Sequence, residues 1–360
     1  VIPAGKIFDP ARAFCARFGL RLPILLAPMA GVPAPALSAA VARAGGMGAC
    51  GALLMKPEAI LGWANDQRGR SNGAFQLNLW IPDPAPVRDA ENEARVRAFV
   101  GQYGPEVPAE AANATPPDFK AQCDALLAAG PAVVSSIMGV YPPEFVAKLK
   151  ERGIAWFGNA TTVAEAKAAA DAGADAIVAQ GAEAGGHRGA FDASKAEAEA
   201  IGLFALLPAI LDAVKLPVIA TGGIGDARGM AAAFAMGAAA VQIGTGFLRT
   251  PEAGIPTAWA DALGQTPPEA TRLTRAFSGR AGRSIATDYV RAAAAPDAPT
   301  PAPYPVQRAI TQAMRDAANK ANDISRIQAW AGQSAALAQA KPAGDLIAEL
   351  WQETCARLGA

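Results

Sequence analysis

The fold predicted by this sequence is a TIM (β/α)8 barrel, of α/β class, with an inserted lid or accessory subdomain at its C-terminal face. Three observations lead there. Eight short apolar runs recur along the 360 residues, and most are followed by an alanine-rich segment with apolar residues at helical spacing. Several run starts (24 and 47, 133 and 155, 155 and 176, 217 and 240) lie 21 to 23 residues apart, room for one strand, one helix and two short loops. Strand and helix alternating eight times points to a closed parallel barrel rather than an open sheet. Composition agrees: 52% of residues are hydrophobic but only 6% aromatic, so the core must rest on Ala, Val, Ile and Leu, as buried parallel strands do.

In chain order the strands are read at 24–29 (ILLAPM), 47–52 (MGACGA), 74–79 (AFQLNL) and 133–138 (VVSSIM). Four more follow at 155–160 (AWFGNA), 176–181 (AIVAQG), 217–222 (PVIATG) and 240–245 (AVQIGT). The intervening segments PALSAAVARAGG, PPEFVAKLKERG, TVAEAKAAADAG and DARGMAAAFAMG each end on Gly, a common helix stop. Two gaps exceed a helix and two loops. The stretch after the third strand carries a charged helical segment, and the tail after the eighth includes the proline-stiffened AAAAPDAPTPAPYP. Residues 1–80, 116–250 and 325–360 are therefore assigned to the barrel. Residues 81–115 and 251–324 are assigned to an accessory region over its mouth, with the last helices packing back on the barrel.

Charge and composition exclude several function classes. Lys+Arg and Asp+Glu balance at 32 each without a basic block, which argues against nucleic acid as a partner. No apolar run reaches the roughly 20 residues needed to span a bilayer, and the N-terminus has no signal-peptide centre, so a cytoplasmic protein is expected. Cys15, Cys50, Cys123 and Cys355 are far apart and the chain has a single histidine, so no metal site is expected.

In a barrel the chemistry sits where strands end. Gly222, Gly223 and Gly225 follow the seventh strand, and Gly244, Thr245 and Gly246 follow the eighth. Glycine lets backbone N–H groups point at an anion, and adjacent loops after these two strands are where barrels commonly take a phosphate. The plainer reading is that these glycines only turn tight corners. The spacing in GGIGDARG is not G-x-G-x-x-G and no acid follows about 20 residues on, which excludes a Rossmann dinucleotide site. The sole histidine, His187, lies in QGAEAGGHRG after the sixth strand. An imidazole there suits proton abstraction or a hydrogen bond to an anion. Glu183 could fix this loop, and Arg188 could draw anions in or simply be solvated.

LAPMAGV, QLN, QGAEAGGHRG, ATGGIGDARG and VQIGTGFL together resemble the motifs of nitronate monooxygenases, formerly called 2-nitropropane dioxygenases. The segments PYPVQRAITQAMR and WAGQS resemble the class I branch. The resemblance spans about residues 20 to 335. It implies an FMN-containing barrel that oxidises alkyl nitronates such as propionate 3-nitronate with O2, giving a carbonyl compound and nitrite or related nitrogen oxides, a detoxification of nitro compounds. It further implies that Ala27, Pro28 and Met29 line the flavin, that Asn78 bonds its polar edge, and that Gln180, Gly185 and Gly186 hold its ring and ribityl region. Gly222, Gly223, Gly244 and Thr245 would bind its phosphate, Gln333 would contact it, and Tyr304 would line the substrate pocket. His187 would orient the nitro group or remove an α-proton. FSGRAGRSI departs from the family's usual order and leaves Arg280 and Arg283 without roles. A monomer or homodimer is expected. A related FMN-dependent NAD(P)H reductase of an enoyl thioester or quinone, and a non-redox phosphate- or FMN-binding barrel, are the alternatives.

Overall fold

The eight predicted strands form one closed parallel barrel in the computed structural model, which describes residues 2–32, 35–113 and 115–359. Positions 1, 33, 34, 114 and 360, within the predicted barrel and accessory segments, lie outside the described residues. The strands of the chain are β1 Ile24–Leu26, β2 Gly48–Gly51, β3 Phe75–Trp80, β4 Val133–Ile137, β5 Ala155–Ala160 and β6 Ala176–Gln180. They continue as β7 Gly186–His187, β8 Val218–Thr221, β9 Ala240–Ile243, β10 Thr271–Thr274 and β11 Gly282–Ile285. The barrel order is β1-β9-β8-β6-β5-β4-β3-β2, and a parallel bridge between Leu25 and Met47 closes the ring. Several strands pair over fewer residues than their apolar runs. Pro28 and Pro217 have no N–H for a ladder, so β1 stops before the first and β8 starts after the second. Gly222, at φ 106°, turns the chain out of β8.

The barrel is sealed at its N-terminal end by the helix Asp9–Phe18, which starts with Pro10 in its first turn and stops at Gly19 in a left-handed conformation. The Phe14 and Phe18 rings lie 5.9 and 5.2 Å from that of Phe157 on β5. Burying each of Phe14 and Phe157 contributes roughly 1.5–3 kcal/mol. Helix Val163–Asp171 begins with a capping box: Thr162 Oγ1 accepts from the Glu165 N–H, and Glu165 accepts in return from the Thr162 N–H. The eighth outer helix arrives late. Ala343–Arg357 packs between Ala36–Arg43 and Ala227–Ala235, with Trp351 against Phe8 and Phe234. Among the described residues no helix is long and apolar enough to cross a membrane.

The two long segments build a second apolar core together. Val96 and Val100 of helix Ala90–Val100 meet Phe277, Tyr289, Ile310 and Met314. β10 and β11 form an antiparallel sheet whose third member is β7, the short strand carrying His187. This sheet was not predicted, because two residues are too few to show a strand period. Arg280, 2% exposed, clamps the arrangement: its guanidinium pairs with Asp83 through Nε and Nη2, and Nη1 donates to the Ala190 carbonyl at 2.9 Å. Removing one partner of a buried pair strands the other. Asp83 remains partly exposed, so Asp83→Ala is expected to cost about 2 kcal/mol of stability, read as a lowered chemical-denaturation midpoint; an unchanged midpoint would show that the clamp carries no stability.

Candidate active site

The C-terminal ends of the strands open into a cavity of about 350 Å3, within the range of small-molecule and cofactor sites. Each strand end contributes what its sequence put there. β1 runs into Ala27, Pro28 and Met29, β3 presents Asn78 and Trp80, and β6 ends on Gln180 before Gly185, Gly186 and His187. β8 leads to Gly222 and Gly223, and β9 to Gly244 and Thr245. All of these line the cavity. Gln333 and Tyr304 are not among its lining residues. Gln333 lies between Gly332 and Ser334, which do line it, and its N–H donates to the Glu183 carbonyl at 2.9 Å. The Tyr304 ring packs 5.2 Å from Trp80.

Beneath the cavity is a backbone cradle. Gly222 and Gly223 have φ of 106° and 70°, which a side chain would oppose. Among the described residues, the N–H groups of Gly222, Gly223, Gly244 and Thr245 have no hydrogen-bond acceptor in the protein. Four partnerless donors gathered from two neighbouring strand ends call for an anion. The helix dipole contributes less than the sequence suggested, because Asp226 already accepts from the Arg228 and Gly229 N–H groups at the start of Ala227–Ala235. The segment 331–334 closes the side of the cradle. Gly332 N–H donates to Thr245 Oγ1 at 3.0 Å, and a Cβ on Gly185 would lie 2.5 Å from Gly332 N, so only glycine fits there. These groups fit the phosphate of a cofactor such as FMN, with Ala27, Pro28, Met29 and Asn78 available to its ring.

The loop after β6 is held by its own polar groups. Gln180 Nε2 donates to the His187 carbonyl at 3.1 Å, and its Oε1 accepts from Gly189 N–H at 2.8 Å. Its amide thus shapes the loop rather than standing free. Glu183 does fix the loop, accepting from Leu203 N–H with both oxygens at 3.0 Å. Arg188 is neither solvated nor an anion guide. It is 1% exposed and its Nη1 donates to the Gln180 and Gly181 carbonyls, which have left the barrel ladder and need donors. Arg283 similarly serves the Ala182 carbonyl at 3.0 Å.

His187 stands between Trp80 and Trp330, with ring centroids 4.6 and 4.8 Å away. Its Nε2 lies 2.7 Å from Ser278 Oγ. Burial, and then the positive charges of Arg308, Arg280 and Arg315, push its pKa down to about 3. The imidazole is therefore uncharged at neutral pH. Because these 360 residues hold one histidine, its ring resonances in an NMR titration of this chain are expected to stay fixed between pH 5 and 8; a midpoint near the ordinary value would refute this environment.

Several lining residues escaped the sequence reading. Trp80 was within reach, since it lies two residues past Asn78 on the same strand and so on the same side. Arg308 and Arg315, which also line the cavity, come from the accessory segment 251–324, and Trp330 from just beyond it. Ser278, which hydrogen-bonds the imidazole without lining the cavity, is 91 residues away in the chain, and no spacing linked any of these to His187.

The family model for nitronate monooxygenase matches residues 14–353. A nitronate monooxygenase of Paraburkholderia phytofirmans is 38% identical over 95% of this chain and 94% of its own length. One of Pseudomonas aeruginosa is 37% identical over 94% of this chain and 98% of its own. Among solved structures, a nitroalkane oxidase from Streptomyces ansochromogenes superposes with a TM-score of 0.86 at 37% identity, covering 96% of this chain and 99% of its own. FabK from Thermotoga maritima superposes with a TM-score of 0.75 at 25% identity, covering 96% and 97%.

Proposed function

We propose, from the premise that this chain belongs to the nitronate monooxygenase family, that it holds FMN at the mouth of its barrel and oxidises alkyl nitronates, such as propionate 3-nitronate, with molecular oxygen. The products would be a carbonyl compound and nitrite or related nitrogen oxides. The observation that carries the reading is the meeting in one cavity of partnerless N–H groups from two adjacent strand ends and a single uncharged imidazole. The N–H groups of Gly222, Gly223, Gly244 and Thr245 would take the phosphate. FMN supplies the electron-accepting chemistry when bound.

The chain's own residues bind and orient. A nitronate is already a stabilised carbanion, so its oxidation needs no strong base to begin. His187, walled by Trp80 and Trp330, offers a hydrogen bond to a nitronate oxygen. Arg308 and Arg315 supply positive potential on a wall that, among the described residues, has no carboxylate, which favours entry of an anionic substrate.

Anaerobic mixing tests the reading. The purified protein is expected to carry a flavin spectrum that propionate 3-nitronate bleaches and NADH does not, and to consume oxygen with the nitronate alone. Bleaching by NADH would favour the second reading, a flavin reductase, to which the likeness to FabK gives some support. A colourless protein whose spectrum ignores added FMN would leave only a non-redox barrel.

A further inference from the structure

The two arginines on the cavity wall differ in what holds them. Arg315, 6% exposed, is consumed by the protein. Its Nε donates to Thr311 Oγ1 at 3.2 Å, its Nη1 to Gln328 Oε1 at 3.3 Å, and its Nη2 to Gln312 Oε1 at 2.7 Å and the Arg308 carbonyl at 2.9 Å. Arg308, on the short helix Val306–Ile310, is half-buried. Among the described residues its guanidinium has no hydrogen-bond or salt-bridge partner, although it faces the cavity. Arg315 therefore acts as a strut that fixes the backbone carrying Arg308, while Arg308 keeps its donors free. Desolvation by burial lowers the pKa of both groups, that of Arg315 to about 9. Tyr304 and Asp316 favour the charged form of Arg308, but neither is bonded to it. A partly desolvated cation without a bonded counter-charge is costly to maintain, and an anion entering the cavity would offset that cost.

The partnerless N–H groups of the β8 and β9 loops already answer for a phosphate. Arg308 lines the same cavity near His187: among charged neighbours it acts most strongly on His187, and it also acts on Tyr304. We infer that Arg308 is a specificity-determining residue that receives a second anionic group, a carboxylate, on the nitronate substrate, so that nitronates with a charged tail are preferred to those with an uncharged one. The planar guanidinium fork matches the two oxygens of a carboxylate, and bonds charged on both sides are the strong ones. The inference rests on the nitronate reading above.

The test compares kcat/KM for propionate 3-nitronate and for ethyl nitronate in the holoenzyme, Arg308→Gln and Arg308→Lys. In parallel, succinate, a redox-inert dianion, is titrated against the fluorescence of the cavity tryptophans. Arg308→Gln is expected to lower the ratio of the two kcat/KM values roughly 30- to 300-fold and to weaken succinate binding by a similar factor. Arg308→Lys should recover part of both, because it keeps the charge and loses the fork. A ratio within about threefold of the native protein's overturns the inference, whether both substrates are unaffected or both fall equally. Equal losses would place the guanidinium on the nitronate end or in the fold. If the native protein oxidises neither nitronate, the functional reading fails. Succinate then decides on Arg308 alone: weakened binding in Arg308→Gln supports the anion subsite, and unchanged binding refutes it.

Discussion

Gly223→Val is expected to purify as a folded barrel with about a tenth or less of the native flavin content. Gly223 has φ of 70°, a region in which a β-branched residue is an outlier costing about 1–3 kcal/mol. Its new Cβ would meet Glu183 Cβ and Cγ at 3.3 and 3.4 Å, a tight but yielding contact with a side chain. The cheapest relief is rotation of the 222–223 peptides, which swings their N–H groups away from a common point. Each hydrogen bond to a charged group is worth roughly 1.5–3 kcal/mol, so losing two lowers phosphate affinity by two to four powers of ten on an order-of-magnitude scale. The flavin-to-protein absorbance ratio after gel filtration measures the loss, and far-UV circular dichroism checks the fold. Full flavin retention would mean that the phosphate lies elsewhere. Gly185 is a poorer probe, because its Cβ would strike the backbone of Ala331 and Gly332 at 2.7 and 2.5 Å and unseat a whole segment.

What was legible in the sequence follows from locality. Barrel strands and helices announce themselves within about 22 residues, and the cradle lies directly after two such strands, so Gly222, Gly223, Gly244 and Thr245 could be picked from spacing. The eighth helix could not be placed so readily, since Ala343–Arg357 is separated from β9 by the whole accessory segment. Arg188 misled for a different reason. Charged residues in glycine loops are usually solvated, but here carbonyls leaving the ladder at Gln180 and Gly181 needed a donor, and that need shows only in three dimensions. Ser278 and Arg308 carried no periodic signal at all. They reach His187 because β11 pairs with β7 and because the accessory core sits over the mouth. The residues that tune the histidine are therefore the ones that local pattern could not reveal.

His187→Ala is expected to lower kcat/KM for ethyl nitronate roughly 10- to 100-fold, the worth of one hydrogen bond to a charged group, and to lower it no further for neutral nitroethane. From the sequence, the imidazole could have been a base or an anion holder. The structure favours the second role. Proton abstraction is most efficient when the base has a pKa near the working pH, whereas burial and then Arg308, Arg280 and Arg315 push this one down to about 3. The ring is oriented by the Ser278 hydroxyl rather than by a carboxylate that would stabilise an imidazolium. Ser278 Oγ also lies 3.2 Å from the Arg280 carbonyl, and it has one proton to give. When that proton goes to the carbonyl, Nε2 must carry the imidazole proton and Nδ1 is an acceptor. When it goes to Nε2, Nδ1 carries the proton and can donate. An arriving nitronate selects the second arrangement, because only a donor is attracted to its oxygen. Rates of oxygen uptake with the two substrates decide between the roles. An additional loss of about 10^2 to 10^4 on nitroethane alone is the signature of a removed base, and would return His187 to proton abstraction.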